Sequence, residues 1–165
     1  MFKVRVLIAL VMLLICSVQD IRTGYINITV VGLATGLYLC VYVLYELCMN
    51  MASNNGSMNF AILNESSLKL HITDIILGVF FILLSKVAKG IGEGDFYVLA
   101  ALCLICGSKD IPGIMFTSSL FAGIYAIFLK LVKKLDLSEG FPYVPFITSG
   151  LVTQYLITRL YSISV

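Results

Sequence analysis

Apolar residues in this chain come in long blocks. They follow neither the alternation of a half-buried strand nor the narrow stripe of a surface helix. Six blocks can be marked, at about residues 4–19, 26–48, 70–88, 95–107, 111–132 and 144–161. In lipid each backbone N–H and C=O must be paired internally, and no period-2 pattern supports a barrel, so each block predicts a helix. A bilayer asks for roughly 20 apolar residues per span. The first block is short by that measure, with Lys3 and Arg5 placed to lengthen it by snorkelling. The fourth is the shortest. The pattern predicts an all-α fold, a polytopic membrane bundle of about six helices, in one domain over residues 1–165.

Composition strengthens this picture. Of 165 residues, 60% are hydrophobic and only 12% charged, with a mean hydropathy of +1.03. Soluble domains carry about twice that charge. A net charge of +2 is too small to recruit nucleic acid, so Lys and Arg serve here to mark topology. Lys3 and Arg5 followed by apolar Val6 to Val18 imitate a secretory signal. No small-x-small cleavage site follows, and Leu13-Leu14-Ile15-Cys16 lacks the small residue that precedes a lipidated cysteine, so an uncleaved first span is expected. The five cysteines, Cys16, Cys40, Cys48, Cys103 and Cys106, lie in or beside apolar blocks. Cys103 and Cys106 form a CxxC among Leu102, Leu104 and Ile105, without the polar partners of a zinc or redox site, and read as packing residues.

The joints between blocks carry the polar residues. Residues 20–25 predict a tight turn, and 50–69 hold two formal sequons, at Asn55 and Asn64. Under six spans, Arg22, Lys86, Lys89, Lys130, Lys133 and Lys134 fall on one side, and Lys3, Arg5, Lys69, Lys109 and Arg159 on the other. Charge therefore orients the chain only slightly. Parity does more: Asp20 and Asp95 face the same side. Gly32-x-x-x-Gly36 and the pair Ser119 and Gly123 are candidate close-approach points between helices.

Asp20 and Asp95 are the acids that matter most. A carboxylate at the margin of an apolar span is costly and therefore a functional candidate. Asp20 also admits plain roles, pairing with Arg22 or capping the second helix. Asp95, closing Gly92-Glu93-Gly94-Asp95, admits the role of an N-cap. Together on one face they suggest a dyad: two close carboxylates cannot both ionise, so one donates a proton while the other activates water. Gly92 and Gly94 let a substrate backbone approach and permit positive dihedrals at the helix junction. Glu93 is expected to be solvent-exposed, with a basic substrate as its possible contact. Asp74 falls on the opposite side as an interfacial or capping residue, Asp110 in a turn, and Asp136 and Glu139 in a solvated loop. His71 is the single histidine, too little for a metal site, and no HExxH occurs; no metal or other cofactor is expected. Ser118 and Ser119 lack a GxSxG setting.

Three segments together resemble one family. They are Asp20-Ile21-Arg22-Thr23-Gly24-Tyr25-Ile26-Asn27, Gly92-Glu93-Gly94-Asp95 through Ala101, and Phe141-Pro142-Tyr143-Val144-Pro145-Phe146. In order and spacing they resemble the type IV prepilin peptidases. The resemblance implies a membrane aspartic endopeptidase that removes a short basic leader from prepilin-like proteins at the cytoplasmic face of a bacterial inner membrane. Asp20 and Asp95 match its two catalytic positions. Ile26 stands where the family usually has proline. Larger members carry an extra cytoplasmic domain and methylate the new N-terminus; no such domain is seen here, so methylation is not expected. Presenilin-like proteases share GxGD but use a Tyr-Asp pair, whereas residue 19 is Gln. The competing expectation is a non-catalytic membrane subunit of a transport or pilus-assembly system.

Overall fold

The structure, a computed structural model, describes residues 2–53, 65–87, 92–133 and 142–164. Six helices and no strand occur among them: α1 (Phe2–Thr23), α2 (Ile28–Ser53), α3 (Glu65–Val87), α4 (Glu93–Cys106), α5 (Ile111–Lys133) and α6 (Val144–Ser164). Every apolar block is helical, and the fold is a helical membrane bundle. Val4–Thr23, Ile28–Tyr45 and Ile111–Val132 are each long and apolar enough to cross a membrane alone. The sequons at Asn55 and Asn64, with Lys89, Lys134, Asp136 and Glu139, lie outside the described residues, as do the side chains of Lys3 and His71.

The first helix outlasts its apolar block. A turn was expected over residues 20–25, yet α1 continues through Asp20 to Thr23 and stops at Gly24, where φ is +66°. The Gly24 N–H closes on the Asp20 carbonyl at 2.9 Å, a left-handed glycine cap. Asp20 therefore rides on a helix rather than a loop. Asn27 caps the next helix: its Oδ1 accepts the Thr29 N–H at 3.0 Å. The Asn27 N–H in turn donates to Gln19 Oε1 at 3.2 Å, tying the turn back onto α1.

The shortest helix is the most enclosed. At 14 residues, α4 measures about 21 Å, against about 30 Å of hydrocarbon. Phe96, Val98, Leu99, Leu102, Cys103 and Ile105 are all buried, as befits a helix that is apolar all round. Along it packs α3, while α1 and α2 flank it and α5 touches it lightly. The α5–α6 hairpin leans on the bundle through α6 against α1. By contrast α2 exposes Leu33, Leu37 and Leu44, a surface suited to lipid.

Among the described residues, the glycines of neither small-residue motif mark a close helix crossing. A Cβ added at Gly32, Gly36 or Gly123 meets nothing within 4 Å. Small residues only permit close approach; which face turns inward decides whether it happens. The tight crossings lie elsewhere. A Cβ on Gly150 would sit 2.7 Å from the Ile114 carbonyl, and one on Gly78 would sit 3.4 Å from that of Ala100.

At the end of the bundle away from Asp95, α4 turns into α5 through Gly107, with φ of +99°. Asp74 of α3 is buried there, and its Oδ1 accepts the Ser108 N–H at 2.7 Å. Arg5 does not snorkel outward. Its guanidinium lies 5.8 and 5.9 Å from the ring centroids of Tyr38 and Tyr42. With Cys106, Asp110 and Gln154 it lines a small cleft. Burial pushes the Asp110 carboxyl above the ordinary carboxylate range.

Candidate active site

Asp20 sits in the last turn of α1 and is buried, 8% exposed. Neither plain role foreseen for it holds. Arg22 is exposed and forms no ion pair among the described residues, and the cap of α2 is Asn27. Asp20 reaches instead to the far end of the chain, where its Oδ2 accepts the Val144 N–H at 3.1 Å. That places its carboxylate at the N-terminus of α6, where a negative charge is favoured.

Asp95 is half-buried and occupies the third position of α4, not its cap. The cap position is Gly92, which offers no side-chain hydrogen bond. The Asp95 N–H closes on the Gly92 carbonyl at 3.0 Å. Its carboxyl lies back over Gly92, and a Cβ there would stand 3.2 Å from Asp95 Oδ2. The two aspartates come from α1 and α4, which pack together, and lie close enough for the charge of Asp20 to act on Asp95.

The two glycines serve by lacking side chains rather than by unusual dihedrals. Gly92 has φ of −55° and ψ of 120°, open to any residue. Gly94 lies within α4, and a Cβ there would fall 2.7 Å from Ile26 Cδ1 and 2.9 Å from Ile26 Cβ. The turn after α1 thus packs closely on the start of α4, Ile26 lying against Gly94. Glu93, on the first turn, is exposed.

Sequence reasoning did not find what holds Asp20. Ser17 Oγ, one turn earlier on α1, shares a hydrogen bond of 2.9 Å with Thr148 Oγ1, one turn into α6. The Tyr143 hydroxyl shares another, of 3.2 Å, with Ser119 Oγ of α5. The segment Pro142–Phe146 stood out as a motif, but its donor is a main-chain N–H, which side-chain identity does not reveal. Ser118 Oγ donates to the Ile114 carbonyl, and Cys103 is core.

A buried carboxyl and a half-buried one, from two helices that pack together, thus lie at one end of the bundle beside the exposed turn after α1. No curated protein and no solved structure matches the chain. The profile of the Type IV leader peptidase family matches residues 7–127, a stretch that includes Asp20, the Gly92–Asp95 run and both glycines. The matched stretch is well over half of the sequence, and the chain belongs to the type IV leader peptidase family.

Proposed function

We propose that this membrane protease is an aspartic endopeptidase working as one domain, with Asp20 and Asp95 as its catalytic pair. The observation that carries the reading is their placement at the same end of the bundle, Asp20 in the last turn of α1 and Asp95 in the first turn of α4 packed against it. Water is the nucleophile. The ionised carboxyl takes a proton from water as its oxygen bonds to the scissile carbonyl carbon, and the protonated carboxyl gives its proton to the carbonyl oxygen. When the tetrahedral gem-diol collapses, the C–N bond breaks, the carboxyl that took the water proton gives it to the leaving nitrogen, and a diol hydroxyl returns its proton to the other carboxyl, so the pair again shares one. No covalent acyl-enzyme forms.

The substrate is a prepilin-like protein, cut between its short basic leader and the apolar helix that follows. That helix stays in lipid while the peptide bond before it reaches the turn between α1 and α2. Glu93, exposed in the first turn of α4, meets the basic leader in this reading. The pair faces the cytoplasm of a bacterial inner membrane. The test is incubation of the purified protein with a prepilin peptide and mass analysis of the products. A single cut before the apolar helix, lost in both Asp20→Asn and Asp95→Asn, supports the reading. Cleavage that survives either substitution in inserted protein refutes the pair.

A further inference from the structure

The start of α6 has few free donors. The Tyr143 carbonyl accepts the N–H groups of Phe146, at 3.0 Å, and Ile147, at 3.3 Å. Pro145 has no N–H. The Val144 N–H is the donor left in this first turn, and it goes to Asp20 Oδ2 in a buried hydrogen bond. Side chains then fix this helix start in place: Thr148 to Ser17 of α1, and Tyr143 to Ser119 of α5.

Among the described residues, the groups around Asp20 leave little else to favour its charge. Of the helices packed on α1, α4 brings Asp95, and its Glu93 is exposed. The first turn of α2, at 28–31, and the first two turns of α6, at 144–151, contain no charged residue. On α1 itself Cys16 feels the Asp20 charge, and Arg22 is exposed without an ion pair among the described residues. A hydrogen bond to the charged form and the positive end of a helix both favour a carboxylate over a carboxylic acid.

We infer that the N-terminus of α6, through the Val144 N–H, is the positioning element of the pair: it fixes Oδ2, leaves Oδ1 for the hydrolytic water, and makes Asp20 the base and Asp95 the proton donor. This rests on the proposed Asp20–Asp95 chemistry and adds a division of labour within it. Val144, Ser17 and Thr148 are positioning residues.

The test is the pH profile of kcat/KM for prepilin-peptide cleavage. Val144→Pro removes the donor at a first helical position, where proline is well tolerated. Val144→Ile keeps the donor. Loss of a hydrogen bond to a charged group predicts a roughly ten-fold or greater fall in kcat/KM, with the acid limb moved up by about one pH unit. Val144→Ile is expected to leave that limb where it is. Should Val144→Pro fail to accumulate in membranes, Ser17→Ala combined with Thr148→Val takes its place, with a smaller shift in the same direction. An unmoved acid limb in inserted Val144→Pro, or a uniform fall at every pH in the double variant, overturns the inference and leaves the dyad standing. A wild-type protein without Asp-dependent cleavage overturns both.

Discussion

The two ends of the bundle use the same device for different purposes. At each, a buried aspartate accepts a main-chain N–H from another element: Asp20 from Val144, and Asp74 from Ser108. Asp74 clamps the neighbouring turn, 34 residues away. Asp20 clamps a helix 124 residues away and acts on a second carboxyl. A buried carboxylate on an amide is by itself a fastening. Under the proposed function a second carboxyl nearby gives it a proton to share, and that difference separates structure from proposed chemistry.

The sharpest way to break this comparison is to neutralise the aspartates in turn. Asp20→Asn and Asp95→Asn are each expected to lower kcat/KM by roughly 10²- to 10⁴-fold or more, with membrane insertion unchanged. Asp74→Ala leaves the Ser108 N–H without its acceptor and is expected to cost about 1–3 kcal/mol of stability. Cleavage per folded molecule, measured after correcting for the fraction unfolded, should stay within about two-fold in that variant. A loss for Asp74→Ala as deep as that for Asp20→Asn would erase the distinction between the ends.

Gly94→Ala sharpens the comparison from the other side. The new Cβ meets Ile26, and overpacking of this kind costs about 1–3 kcal/mol. Since the clash lies beside Asp95, cleavage should fall more than thermal stability. Ile26→Ala in the same chain removes two of the three close atoms and should restore part of the activity, a coupling that a double-mutant cycle measures. Additive effects would show that Ile26 does not position α4.

The smallest expected effect is at the opposite end. Burial raises the folded-state value of Asp110 above its ordinary range, so its ionised form weighs against folding at neutral pH. The sign follows from linkage: the protonated acid is favoured by the fold, and that stability is lost as pH rises through the folded value. Asp110→Asn should therefore raise the thermal midpoint at pH 7. Near pH 3, where Asp110 is protonated, the two proteins should melt alike. A lower midpoint at pH 7 would assign the Asp110 charge a favourable partner.

Much of this was legible in the residues because helix formation in lipid follows from apolar run length alone. The Gly92–Asp95 run and the acid after the first block were equally readable, since carboxylates stand out against so little charge. Other features depend on which face of a helix turns inward, and local sequence does not encode that. Gly32 and Gly36 form the better small-residue motif yet face open space, whereas Gly150 makes the tight crossing. Arg5 looked like an outward anchor, but Tyr38 and Tyr42 of α2 draw it inside. The extension of α1 past Asp20 hinged on Gly24 acting as a left-handed stop rather than as part of a loop. The grip of Val144 on Asp20 uses a group that every residue except proline possesses.

The length of α4 has one more consequence. A rod about a third shorter than the surrounding oily slab cannot bring both its tips to the lipid–water boundary. At least one tip is recessed, and water reaches it either between the flanking helices or through a local thinning of the lipid. With Asp95 on its opening turn, a dimple on that side would deliver water to the pair through headgroups rather than through hydrocarbon. A client helix would then keep its greasy length in place and offer only its frayed upstream edge.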